Sequence, residues 1–312
     1  MKNSKTLHNL KVFALLIFTI SLLESCNKDE YEVIGDNLPS AQSLKNLFDQ
    51  KLANITIIKT FDASTTLNYI SPKGVRLTLN GSCLRKNGNP VAGEVKVKYI
   101  ELFDKGTMLT TNKPTLGITG GNQELLYSGG AFLIEAYQGE VLLTLSCRFT
   151  LQIPTSLTGG TQTGMLPFAG TINASGELSW EQATTYELVT NVQAATPVYA
   201  ALIPSFGWFN CDKFANVTGP KTTITANVPA GYGPSSGIFL AVKTFPNALG
   251  KSYGLFPVGM NCYLIFITEK DGKFRYAIKS QILTENHSVT FNLSETTVGT
   301  AEELTTAINA LP

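Results

Sequence analysis

This sequence predicts an all-β protein, two β-sandwich-like domains in tandem with a short helix at each end of the folded region. Three observations carry that reading. Apolar and polar residues alternate at period two over much of the chain. Gly, Asn and Asp turn pairs separate the alternating runs. Helical periodicity is confined to two short stretches, so layered sheets are the architecture that buries the apolar faces. The clearest alternation covers 141–153, where Val141, Leu143, Leu145, Cys147, Phe149, Leu151 and Ile153 share one face. Thr144, Ser146, Arg148, Thr150 and Gln152 share the other. A strand with one face in a core and one in water is antiparallel in character.

Taken in order, residues 1–25 read as a signal peptide and 26–39 as an acidic, solvated tether. An N-terminal β-sandwich domain is predicted over 40–155. Ser40 caps a short helix that carries Leu44, Leu47 and Phe48 on one side, and strands follow at 54–59, 75–79, 94–99, 131–137 and 141–153. Asn87-Gly88-Asn89-Pro90 closes a hairpin. The stretch 156–185, opening on SLTGGTQTG, reads as a connector pinned to the fold by Leu166, Phe168 and Trp180. A C-terminal β-rich domain occupies 186–312, with strands at 186–192, 222–228, 238–243, 262–268, 274–279 and 287–293 and a hairpin at Asp271-Gly272. Thr300-Ala301-Glu302-Glu303 is a capping box before Leu304, Ala307, Ile308 and Leu311, whose spacing makes a helix that docks on the second domain.

At the N-terminus, Lys2, Lys5 and Lys11 precede the apolar run 12–23, which has the length of a secretory h-region and is too short to span a bilayer. Ser25 is small enough for cleavage, which leaves Cys26 as the first mature residue. Three fates are open to that cysteine: a lipid anchor, a free thiol after simple secretion, or a disulfide. Leu23, Ser25 and Cys26 resemble the lipobox of bacterial lipoproteins, with Glu24 the departure from it. Asn27-Lys28-Asp29-Glu30 is similar to the export signal of surface lipoproteins of the Bacteroidota. The resemblance implies a lipid-anchored, surface-exposed protein of the outer membrane. Acyl chains suffice physically, since each buried methylene contributes about 0.8 kcal/mol and two chains hold stably.

Without residues 1–25 the chain has 287 residues, with 21 basic and 22 acidic side chains. So balanced a charge excludes a nucleic-acid partner recognised by a global field. One histidine remains, His287, so no metal site and no cofactor is expected. The remaining cysteines are Cys83, Cys147, Cys211 and Cys262, which allow three pairings. Strand parity turns Cys83 and Cys147 inward, a position equally suited to a bridge or to two buried thiols. Cys211 and Cys262 are candidates for a second bridge.

The segment 206–214 holds Trp208, Asn210 and Asp212, and aromatic faces beside an amide and a carboxylate are what a sugar-binding patch needs. The commoner fate of such residues is a buried strand that ends in an Asn/Asp turn. Glu101 with Asp104, and Glu269 with Asp271, read as solvated turn residues; a glycosidase needs two acids at fixed separation across a cleft. Gly120-Gly121 and Gly129-Gly130 read as turns.

The run GVRLTLNGSCLRKNGNPVAGEVKVKYIELFDKGTML, with NKPT, LLYSGGAFLIEA and the later GWFNCDKF, resembles surface lipoproteins of the Bacteroidota. Residues 70–150 also resemble carboxypeptidase-regulatory-type extracellular β-sandwich modules, which pack without a catalytic centre. The implied role is binding or structural, adhesin- or scaffold-like, with a glycan or protein partner at the cell surface and no catalytic residue assigned. The alternatives are a glycan-binding accessory using an exposed Trp208, or a polysaccharide-acting enzyme using a carboxylate such as Asp212.

Overall fold

The computed structural model describes residues 38–173, 176–192, 196–215, 218–245 and 247–312; the signal, Cys26 and nearly all of the tether lie outside them. Strands predominate, as the alternation predicts. The first sheet orders Ile57–Asp62, Glu94–Leu102, Asn122–Gln138, Gly207–Phe214, Leu166–Ile172, Leu178–Gln182 and Leu116–Thr119. The last of these returns to pair with Asn122–Gln138, so five strands close into a small barrel. The 17-residue strand Asn122–Gln138 makes this possible, serving Leu116–Thr119 with its beginning and Glu94–Leu102 with its end. Between them the register with Gly207–Phe214 slips at Asn210/Asp212. Gly129 and Gly130 stand at the slip. A Cβ on Gly129 would lie 2.6 Å from the Cys211 carbonyl oxygen, and Gly130 has φ 122°. The pair is thus a bulge inside a strand, not the expected turn.

A second sheet orders Glu187–Asn191, Val198–Ile203, Phe149–Pro154, Arg76–Asn80 and Thr66–Ile70. It packs on the first: Leu77, Leu79, Leu151, Ile153 and Tyr199 meet Val97, Tyr99, Phe132, Ile134 and Phe209 in one core. A third sheet orders Leu249–Lys251, Ser236–Val242, Asn261–Lys270, Lys273–Ile282 and Thr297–Gly299. Its central strand, Asn261–Lys270, is buried from Cys262 through Thr268, so both faces are covered. Ile224, Val289 and Phe291 join one face. The other shares a core with barrel residues Leu133, Trp180 and Trp208 and with three helices, α1 (Ala41–Asn54), α2 (Lys105–Thr110) and α3 (Ala301–Asn309).

The caps behave as their sequences require. Ser40 with Ser43 and Thr300 with Glu303 form reciprocal capping boxes. Asn87-Gly88 and Asp271-Gly272 take positive φ throughout, the hairpin-turn geometry. Helix α3 docks as expected, but on α2 as well as the third sheet: the Gly106 amide donates to Asn309 Oδ1 at 2.8 Å, and Leu304 and Ile308 are buried. Asp104, expected as a solvated turn acid, is the N-cap of α2, and its Oδ1 accepts from the Thr107 amide at 2.7 Å.

Strand pairing parts the chain elsewhere than the expected connector at 156–185. That stretch supplies Leu166–Ile172 and Leu178–Gln182 to the barrel, and Val198–Ile203 and Gly207–Phe214 belong to the first two sheets. Among the described residues no two named strands pair across the gap between Phe214 and Lys221. Contacts nevertheless make one compact unit from Pro39 to Pro312.

Cys83 and Cys147 form a disulfide, with Cα atoms 5.3 Å apart. Parity succeeds for Cys83, which is buried, and fails for Cys147, which is exposed. The alternating run breaks into Val141–Leu142, Thr144–Leu145 and Phe149–Pro154, and Cys147 sits in the last break. Cys211 and Cys262 are free and belong to different cores, so the second bridge is not formed.

Candidate functional site

Trp208, Asn210 and Asp212 do not form a surface patch. All three point into the fold from the barrel strand Gly207–Phe214 and are buried. Trp208 meets Trp180 edge to face with centroids 6.3 Å apart. Gly170 is needed opposite, since a Cβ there would come within 2.6 Å of the Trp208 Cβ. Asn210 donates through Nδ2 to Asp212 Oδ2 at 2.7 Å and accepts from Ser128 at 3.1 Å. Burial drives the Asp212 carboxyl well above the ordinary carboxylate range, against hydrogen bonds from Ser128 and the Gly129 amide. A carboxyl sealed in a core cannot reach a substrate, so the glycan and glycosidase roles expected of Trp208 and Asp212 are withdrawn. Burial also raises the Cys211 thiol, with the Asp212 charge adding to it. The Cys262 thiol is pushed up to about 12, again by burial. Neither free cysteine is a poised nucleophile.

A different place gathers polar chemistry on a concave surface. An open cleft of ≈ 430 Å³ runs along α1, and its wall includes Leu44, Lys45, Phe48 and Leu52 at helical spacing. The opposite wall carries Asn112, Lys113 and Lys251, with Ile172 and Pro234 at its margins. Local backbone chemistry explains the lysines. Asn112 ends α2 in the left-handed conformation (φ 54°), and the Lys113 amide reaches back to the Met108 carbonyl at 2.8 Å. This is a Schellman-type stop, for which Asn is the usual substitute for Gly. Two residues on, the Thr115 amide donates to the Leu249 carbonyl at 2.8 Å, and the Leu249 amide donates to Thr115 Oγ1 at 2.9 Å. The barrel segment and the third sheet are stitched at that point, so Lys113 and Lys251 emerge on the same wall although far apart in sequence.

The two ammonium groups are held differently. Lys251 has an ion-pair partner, Glu177, at 3.4 Å, a hydrogen bond to Asn112 Oδ1 at 3.2 Å, and the ring of Phe239 beneath it. Burial lowers its pKa, and Glu177 opposes the shift. Lys113 is 8 % exposed and donates to the Thr111 carbonyl at 3.0 Å, with Nζ 5.7 Å from the centre of the Trp208 ring. Among the described residues no carboxylate lies within ion-pair distance of it. Burial brings its pKa down to about 8; Asp49 opposes the shift, while Lys251 and Lys45 add to it. A buried cation without a paired anion is unfavourable, and such perturbed groups cluster at functional sites.

A larger hollow of ≈ 590 Å³ lies beside Lys73, Arg76 and Asn191, but both of its cations are exposed to solvent. Sequence reasoning missed Lys113 and Lys251 as site residues: Lys113 entered only within the NKPT stretch of the resemblance, and Lys251 stands in no motif. The signal available was indirect: a lysine between Asn112, a residue that tolerates the left-handed conformation, and Pro114. No family model, curated protein or solved structure matches the chain.

Proposed function

We propose that this is a lipid-anchored protein of the outer membrane, exposed at the cell surface, whose work is binding, and that the cleft beside α1 is its binding site. The observation that carries the binding role is Lys113, buried on the cleft wall with no carboxylate paired to it. A side chain that opposes stability and lines a hollow is best accounted for by what the hollow receives. The anchor is supported by the N-terminal segment alone: a short apolar run, Ser25, then Cys26 and Lys28-Asp29-Glu30. The cleft takes over the role that the sequence suggested for Trp208 and Asp212. In this reading the two sheet groups that part after Phe214 are sandwich-like units in tandem, held together by α1, α2 and α3.

Mass spectrometry of the mature N-terminus, with metabolic labelling by an alkyne fatty acid, tests the anchor. The expected result is an acylated Cys26, with Cys26→Ala losing the label and leaving the membrane fraction. A mature chain that begins at Cys26 without acyl groups overturns the anchor.

A further inference from the structure

We infer that the cleft takes a small organic acid: an anionic head, a carboxylate, met by Lys113 and Lys251, and an apolar body laid along α1. This rests on the cleft being the binding site and adds the class of ligand.

The head is argued from charge and hydration. The wall contributes Lys45, Lys113 and Lys251, and Asp49 is already paired with Lys45 at 2.5 Å. Lys251 donates to Glu177 at 3.4 Å and to Asn112 Oδ1 at 3.2 Å, which leaves one of its three donors for the head. The amine of Lys113 uses one donor on the Thr111 carbonyl at 3.0 Å. An ammonium has three donors, so an anion entering here completes coordination that protein groups leave incomplete. Asn112, whose Oδ1 accepts from Lys251 at 3.2 Å, leaves its amide Nδ2 for a second oxygen of the same head.

The body is argued from the facing wall. Leu44, Phe48 and Leu52 lie at i, i+4 and i+8 on one side of α1; the first two are largely buried in the core, and half-buried Leu52 with exposed Ile172 and Pro234 supplies the open apolar surface of the cleft. A volume of ≈ 430 Å³ admits a small molecule and not a folded domain. Inorganic phosphate would satisfy the lysines and leave that surface wet. A neutral amphiphile would cover the surface and leave Lys113 without an anion. An acid with an apolar body does both.

The test is calorimetric titration of the purified mature chain with octanoate, octanamide and inorganic phosphate, with Trp208 fluorescence as a second readout close to Lys113. Octanoate is expected to bind saturably below about 10 mM, and about tenfold more tightly than octanamide or phosphate. Lys113→Met and Lys251→Met are each expected to weaken octanoate about tenfold or more. Ile172→Asp, at a margin residue that is 50 % exposed and therefore free of folding demands, should weaken it by repulsion. Octanamide binding as tightly as octanoate would overturn the anionic head and leave the cleft standing as a binding site. Phosphate equal to octanoate would overturn the apolar body. No saturable octanoate binding, or binding that all three substitutions leave unchanged, would overturn the inference outright. None of these outcomes bears on acylation of Cys26, which is read separately.

Discussion

Lys113 is a buried lysine whose burial carries a pH-dependent cost. Its folded pKa, about 8, lies below the ordinary lysine value of 10.5, so folding expels a proton between those two pH values. Through that window the unfolded chain binds more protons, and stability rises with pH. The penalty for charging the amine is therefore present in full below pH 8 and has gone by about 10.5. Burial sets most of it; Asp49, from α1, opposes it, while Lys251, from the third sheet, and Lys45, from α1, add to it. Lys113→Met is expected to stabilise the protein at pH 7 by on the order of 1–3 kcal/mol in urea unfolding, with the gain vanishing as pH approaches 10.5. An equal or lower stability at pH 7 would show that the buried amine is compensated. Asp212 is the counterpart with opposite charge, a carboxyl that burial drives toward its neutral form, but it is sealed among Ser128, Asn210 and Gly129 and lines neither of the two hollows described above. The contrast between these two residues is one of place: Asp212 is hydrogen-bonded within the core, and Lys113 lines the cleft.

At the scale of elements, the contact between α2 and α3 is the sharpest constraint. A Cβ on Gly106 would lie 2.4 Å from the Thr305 carbonyl oxygen and 2.8 Å from Asn309 Oδ1. Around that approach Lys105 donates to the Leu311 carbonyl at 2.9 Å, and Asn309 Nδ2 donates to Asp104 Oδ1 at 2.8 Å. Gly106→Ala must therefore push the helices apart, with an expected loss of about 1–3 kcal/mol in the same urea assay. An unchanged midpoint would mean that α3 is held by its apolar face alone. Helix α2 was illegible in the sequence because LysGlyThrMetLeuThr offers one good cap and little helix propensity; its stability comes from packing. Strands with one wet face were legible, since Phe149–Pro154 and Glu94–Leu102 alternate in burial as they do in polarity. The stretch 156–185 hides Leu166–Ile172 and Leu178–Gln182 because Pro167 and Gly170 interrupt the first and the second is only five residues long. The hairpin turns and both capping boxes were plain, because each is fixed by two or three neighbouring residues. The cleft was not, since Thr115 and Leu249 stand 134 residues apart and only the fold joins them.

Over the whole molecule, the two sheet groups share a core that no strand pairing announces. Leu133, Trp180 and Trp208 from the barrel side and Phe239, Ile265 and Phe274 from the third sheet share one core with the buried faces of the three helices. Neither side can lose its partner without exposing that surface to water. Thermal unfolding is therefore expected as a single cooperative transition, with calorimetric and van't Hoff enthalpies in agreement. Two resolved transitions would show that the strand division after Phe214 is also a division of stability. Helix α1 belongs to this core through Leu44, Leu47 and Phe48, and the Phe48 and Phe274 rings lie 5.8 Å apart. It is also tied down at its far end by Lys51, which reaches Glu302 on α3 at 3.1 Å. If Cys26 holds the chain to a membrane, any drag from the surrounding fluid enters the fold at Pro39 and loads α1 before any other element. The helix that bears this tension is the one that walls the cleft, so a bound acid would act as a strut under load, and pulling on the tether would loosen the grip on it.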